Sequence, residues 1–185
     1  IRTAEGMKIR GAFVAGHEGW LLVSCDYSQV ELRLLAHFSG EETLIEAFNN
    51  GADIHRATAA RIFNCKAEDV SSALRSRAKA INFGIIYGMG AMTLARQTGL
   101  TRDEAQQFID SYFETYPKVR AYLDGQIEAA EKHGYVETIL GRRREILEIN
   151  NNNQQLRANA ERIATNTPIQ GSAADLIKVA MIHID

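Results

Sequence analysis

The stretch "RSRAKAINFGIIYG", Arg75 to Gly88, carries the most structural information in the chain. Arg75, Lys79, Phe83 and Tyr87 recur every four residues. On an α-helix each such step drifts only about 40°, so the four form one slowly winding stripe. Leu74, Ala78, Ile81 and Ile85 form an apolar stripe on the other side, which predicts a helix from about Ser72 to Ile86 anchored by one face. The polar stripe is divided along its length, with two cations first and two rings after them, spread over roughly 18 Å of axis. An extended nucleoside triphosphate has the same division, anionic at one end and flat at the other. Guanidinium and ammonium groups suit the phosphates, and a ring offers a stacking face for the base. For an arbitrary helix, solvated cations and two core rings are the commoner reading. Gly84 and Gly88, beside the rings, leave room for a ligand or another backbone to approach and favour the binding reading.

Upstream, residues 11–14 and 20–26 read as two short strands around a Gly-His-Glu-Gly turn. The second runs Trp20-Leu21-Leu22-Val23-Ser24-Cys25 and ends on Asp26, an acid at the tip of a strand that reads as buried. An unpaired buried carboxylate costs several kcal/mol, so something must offset it, and a metal is the obvious candidate. Asp26 also fits an N-cap for the helix expected from Gln29 to Ser39, where Val30, Leu34, Leu35 and Phe38 keep helical spacing.

Further helices are expected over Glu41–Asn49 and Asp53–Phe63, the second with Asp53 as N-cap. Thr101-Arg102-Asp103-Glu104 has capping-box form and opens a helix to about Thr115. Pro117 suits the first turn of the next helix, which Gly134 closes. Residues 135–140 and 144–149 predict a hairpin with Gly141-Arg142-Arg143 at its tip, and Asn150 to Asn153 a polar loop. A last helix starts near Gln154 and is expected to kink at Pro168, which can donate no backbone hydrogen bond. The fold class is α+β and mainly helical, with a small antiparallel sheet from the N-terminal strands and a separate hairpin.

The 185 residues have the composition of an ordinary globular protein, with no apolar run long enough for a bilayer and no secretory leader. A cytoplasmic setting is expected. Cys25 and Cys65 stand far apart without metal-ligand spacing, so free thiols are expected and zinc is not. A net charge of −2 gives no global sign of nucleic acid, which depends on whether the cations gather on one face. The start at Ile1-Arg2-Thr3 and the stop at Ile184-Asp185 within a helical pattern suggest a piece of a longer protein.

Two long motifs carry a resemblance. Asp26-Tyr27-Ser28-Gln29-Val30-Glu31-Leu32-Arg33 resembles motif A of the family A DNA polymerases, and Arg75-x3-Lys79-x3-Phe83-x3-Tyr87-Gly88 resembles motif B on the same family's nucleotide helix. Asp53-Ile54-His55-Arg56 and Thr167-Pro168-Ile169-Gln170-Gly171 also fit, so the resemblance spans essentially the whole chain. It implies the fingers of a right-hand polymerase with an incomplete palm: residues 1–40 palm with motif A, 41–134 fingers, and 135–185 a hairpin and long kinked helix returning to the palm.

The implied reaction is template-directed transfer of a deoxynucleotide to a primer 3′-hydroxyl, assisted by two Mg²⁺ ions. Asp26 and Lys79 are the implied catalytic residues. Asp26 and the backbone carbonyl of Tyr27 would ligate metal. Gln29, Glu31, His55, Arg75, Lys79, Phe83 and Tyr87 would bind the nucleotide, with Glu31 as the steric gate against a ribose 2′-hydroxyl. Arg75, Lys79 and His55 would meet the phosphates, Phe83 the sugar, and Tyr87 the templating position. In this family a Phe rather than a Tyr at 83 is associated with rejecting dideoxynucleotides. Gln29, Arg162, Asn166 and Gln170 match positions along the primer–template duplex, where amides and Arg suit minor-groove acceptors. For Arg162 a plain polar helix face fits nearly as well. Arg142, Arg143 and Arg144 could reach DNA phosphates, although arginines on an exposed turn commonly serve solubility. The resemblance also implies a monomer working on the nucleoid.

The family's third motif, His-Asp-Glu on a hairpin, would follow the last helix; His183-Ile184-Asp185 lacks that spacing and reads as helix surface. Glu145 stands where relatives commonly carry an apolar or aromatic residue, which weakens the hairpin's DNA contacts. Two rival readings are a single-subunit RNA polymerase, against which Glu31 argues, and a nucleotide- or nucleic-acid-binding module without catalysis.

Overall fold

A computed structural model describes residues 3–184. The chain is mainly helical with one two-stranded antiparallel sheet among these residues. The helices are α1 (Ala4–Gly11), α2 (Val30–Ser39), α3 (Glu42–Asn49), α4 (Ile54–Ile62), α5 (Ser72–Ile86), α6 (Ala91–Thr98), α7 (Arg102–Thr115), α8 (Pro117–His133) and α9 (Gln154–Ile184). The hairpin strands are β1 (Tyr135–Glu137) and β2 (Arg143–Glu145), in register Tyr135 to Glu145 and Val136 to Arg144. They are shorter than the sequence suggests.

The local chemistry that starts and stops these helices is visible in the caps. Asp53 accepts hydrogen bonds from the His55 and Arg56 amides at the head of α4. Thr101 and Glu104 close the expected capping box on α7. Gly134 ends α8 in the left-handed conformation that glycine tolerates best. Pro117 occupies the first turn of α8, and the distant Glu41 supplies the acceptor there: its buried carboxylate takes the Lys118 amide at 3.1 Å. α9 runs through Pro168 as one helix, with Pro168 and Ile169 both buried.

The main core joins α2 through α9. Leu32, Leu35, Leu44, Ile54, Ile81, Ile86, Leu94, Tyr112, Tyr116, Val119 and Ile169 are among its fully buried side chains. The expected apolar stripe of α5 is turned inward: Ala78, Ile81 and Ile85 are buried and Leu74 partly so. A second cluster of Ala130, Val136, Ile146, Ile149, Ala160 and Ala164 seats the hairpin between α8 and α9. A small third cluster, Ala59, Val70 and Ala78, closes α4 onto α5.

The N-terminal strands are a correction. Residues 11–14 and 20–26 form no strand; the first segment includes the end of α1, and Trp20, Leu21, Leu22 and Val23 are exposed. A strand exists only by pairing its amides and carbonyls with a neighbour, and among the described residues none pairs with this segment. Asp26 is therefore exposed rather than buried, and its charge needs no offset within this chain. Nor does it cap α2, where Gln29 holds the N-cap position. The apolar run from Trp20 to Val23 suits a sheet, but its composition cannot bring one to hand. Ile1, Arg2 and Asp185 lie outside the described residues, and with them the end of the His183-Ile184-Asp185 triplet; His183 itself is exposed on α9.

Candidate nucleotide site along helix α5

Helix α5 presents the expected stripe. Asp53 and Arg75 meet at its N-terminal end, where Arg75 Nε donates to Asp53 Oδ2 at 2.6 Å. The same carboxylate thus caps α4 and orients the guanidinium on α5. Burial pushes the Asp53 carboxyl up, but the Arg75 hydrogen bond and two backbone amides outweigh it and hold it below its ordinary value. Lys79, one turn on, is exposed and forms no ion pair among the described residues. It leaves an ammonium open to an anion.

The rings follow. Phe83 is half-buried, and its ring lies 6.5 Å from that of Tyr87 at an interplanar angle of 14°. Phe83 also meets His55, 5.7 Å away. Tyr87 is 38% exposed and its hydroxyl donates to Glu31 Oε2 at 2.7 Å. This bond ties the C-terminal end of α5 to the first turn of α2. Burial, then the Glu31 carboxylate, pushes the Tyr87 hydroxyl up to about 12, while Gln170 pulls it the other way. Glu31, Tyr87 and Gln170 therefore share one locality, although their sequence positions are far apart.

His55 is buried at the head of α4, and Asn82 Nδ2 lies 3.0 Å from its Nδ1. Burial holds the imidazole below its ordinary value, Arg75 and Lys79 push the same way, and Asp53 opposes them. Asn82 and Thr58 are bonded to each other, and the Thr58 hydroxyl lies 3.1 Å from that of Tyr116. Sequence reasoning misses both Asn82 and Thr58. A signal exists for Asn82, which sits four residues after Ala78 on the buried side of an otherwise apolar face. The pairing of Asp53 with Arg75 has none, because 22 residues separate them.

The two glycines beside the rings open space for this chain's own side chains. A Cβ on Gly84 would lie 3.2 Å from the Met89 sulfur. Gly88 has φ +61°, and a Cβ there would stand 2.8 Å from Arg162 Cγ. Arg162 thus lays its stem over the end of α5 while its guanidinium donates to Asn159. Asn166, one turn further along α9, is half-buried with Oδ1 enclosed and unpaired, and Gln170 is exposed. Arg142, Arg143 and Arg144 are engaged internally: Arg142 with Asp175 and the Gly171 carbonyl, Arg143 with Glu137, and Arg144 with Thr167.

Asp26 and Tyr27 are not part of the α5 cluster. They line a cleft with Cys25 and the α9 residues Ile177, Ala180, Met181 and Ile184. Gln29, at the head of α2, has φ +56° and makes no side-chain capping bond. A pair of divalent ions needs several hard oxygen donors. Among the described residues no group of three His, Cys, Asp or Glu side chains could hold an ion. Asp26 and the Tyr27 carbonyl are hard oxygen donors of the right kind, but they amount to part of a ligand set.

Comparison with known proteins identifies relatives over the whole chain. Residues 1–185 match the family model described as DNA polymerase family A. The chain is 52% identical over its full length to DNA polymerase I of Lactococcus lactis subsp. lactis and 52% identical to that of Bacillus subtilis, covering 21% of each. It is 48% identical to the thermostable DNA polymerase I of Thermus aquaticus, covering 22% of it. Among solved structures, the polymerase domain of Pol1 from M. smegmatis, in complex with DNA primer-template and dNTP, superposes with a TM-score of 0.88 at 46% identity, covering 98% of this chain and 32% of that one. The chain spans about a fifth of the length of these curated relatives, and it belongs to DNA polymerase family A.

Proposed function

We propose that this chain is the nucleotide-selecting part of a template-directed DNA polymerase, with residues 41–134 as fingers and residues 1–40 and 135–185 as the palm portion that the fingers meet. The observation that carries this is the divided face of α5: Arg75 and exposed Lys79 at one end, and the near-parallel rings of Phe83 and Tyr87 at the other. A deoxynucleoside triphosphate is the substrate class that face fits. Arg75, held by Asp53, and Lys79 bind the phosphates through charge-assisted hydrogen bonds. Phe83 packs against the sugar, and Tyr87 stacks beside the templating base. Glu31, held against the Tyr87 hydroxyl, occupies the space a ribose 2′-hydroxyl would need. Arg162, Asn166 and Gln170 on α9 face the primer–template duplex, and Gln29 borders the nucleotide.

In the longer protein the reaction is attack of a primer 3′-hydroxyl on the α-phosphorus with pyrophosphate leaving. Lys79 neutralises, or gives a proton to, the departing phosphates. A pair of Mg²⁺ ions would lower the pKa of the attacking hydroxyl and stabilise the leaving group, with Asp26 and the Tyr27 carbonyl as this chain's share of the ligands. The whole protein acts as a monomer on chromosomal DNA in the cytoplasm. No helix among the described residues is long and apolar enough to cross a membrane.

Calorimetric titration with dTTP and Mg²⁺ tests the site. Lys79→Ala is expected to weaken binding by about 1.5–3 kcal/mol, roughly 10- to 150-fold. Equal affinity for the two proteins would remove Lys79 from the phosphate site.

A further inference from the structure

We propose that Asn82 is a positioning residue that fixes His55 as a neutral imidazole with its proton on Nε2, so that His55 offers one N–H donor to the triphosphate. This deepens the nucleotide reading above and rests on it. The placement comes from a small hydrogen-bond network in the interior. Asn82 Nδ2 lies 3.0 Å from His55 Nδ1, and an amide nitrogen can only donate. The Asn82 carbonyl oxygen is occupied by the Thr58 hydroxyl at 3.3 Å, and Thr58 also meets Tyr116. Asn82 Nδ2 also donates to the same Thr58 oxygen at 3.2 Å, and Asn82 and Thr58 are both fully buried.

An imidazole nitrogen that accepts cannot also carry a proton, so the neutral ring must place its hydrogen on Nε2. That nitrogen has no partner among the described residues. It is not enclosed either, because the buried side-chain polar atoms without a partner are Tyr112 Oη and Asn166 Oδ1. His55 as a whole is 2% exposed, so Nε2 meets the outside only through a narrow opening.

The groups around the ring favour the neutral form. On α5 the cations of Arg75 and Lys79 face it, Asn82 presents an N–H, and Phe83 presents a ring tilted at 45°. On α4 Thr58 is neutral, and Asp53 at the head of that helix is the opposing charge. With Asp53 engaged by Arg75, a proton on Nδ1 would point at the Asn82 amide donor. A neutral donor beside two cations makes a hydrogen bond to a phosphate oxygen that does not switch off as pH rises through the ordinary histidine range.

Nitrogen-15 NMR of the full chain, labelled in its five histidines and assigned with His55→Gln, reads the tautomer directly. The expected wild-type signature is an unprotonated Nδ1 and a protonated Nε2, with dTTP displacing the Nε2 resonance. Asn82→Asp turns the donor into an acceptor and is expected to move the proton to Nδ1 and shift the His55 titration upward. Should that variant not fold, the wild-type spectrum still decides. A wild-type proton on Nδ1, or an Asn82→Asp spectrum with the wild-type tautomer, would overturn the proposal. A correct tautomer that dTTP leaves untouched supports the Asn82 lock and counts against the nucleotide reading instead.

Discussion

Tyr112 is fully buried, and its hydroxyl has no partner among the described residues. Burial, with Tyr116 and Glu41 nearby, pushes that hydroxyl well above its ordinary range. The ring packs edge-on against Tyr116 and Phe113, so the phenyl group contributes to the core while the oxygen opposes burial. Tyr112→Phe is expected to leave stability to urea unchanged or raise it by up to about 1 kcal/mol; a loss of more than that would mean the hydroxyl is satisfied. Its neighbour Tyr116 differs in having Thr58 as partner, which links the core to the His55 pocket. Individual side chains also mark where sequence reading stops. That Arg75, Lys79, Phe83 and Tyr87 share one face of α5 is legible from spacing. Asp53 as the anchor for Arg75, and Asn82 as the anchor for His55, are not, because those contacts join residues 22 and 27 positions apart and leave no local pattern.

Helices are most legible where their ends are written in the chain. Thr101 with Glu104, Pro117 and Gly134 fix three boundaries by hydrogen bonding or backbone preference, and all three stand where expected. Thr101→Ala removes the capping hydroxyl and is expected to cost about 1 kcal/mol of stability to urea; no change would mean that α7 is held by packing alone. α1 and α6 escape a reading from sequence, since α1 has little apolar face and α6 starts from Gly90, which has no side chain to cap it. The N-terminal strands fail for a different reason. Residues 20–26 have strand-like composition, but composition cannot supply a pairing partner. The hairpin is legible, whereas the internal partners of its arginines are not: Arg142 and Arg143 are engaged in ion pairs and Arg144 bonds to Thr167.

Across the whole chain, order is uneven. One core unites α2 through α9, whereas residues 21–28 donate no backbone hydrogen bond among the described residues and are exposed. Hydrogen exchange is expected to find the amides of residues 21–28 near the unprotected rate, with those of Ile81 to Ile86 among the slowest. Protection over residues 21–24 would reveal strand pairing. The proposed nucleotide face of α5 lies on the ordered side of this division, which is why its geometry can be tested in this chain. The decisive test is where a nucleotide sits. Photolabelling with 8-azido-dATP and Mg²⁺, followed by trypsin and peptide mapping, is expected to mark Ala80–Arg96, which holds Phe83 and Tyr87, and unmodified dATP should suppress the label. Label concentrated on the peptides around Tyr27 and the end of α9, or label that dATP does not displace, would contradict a nucleotide site on α5.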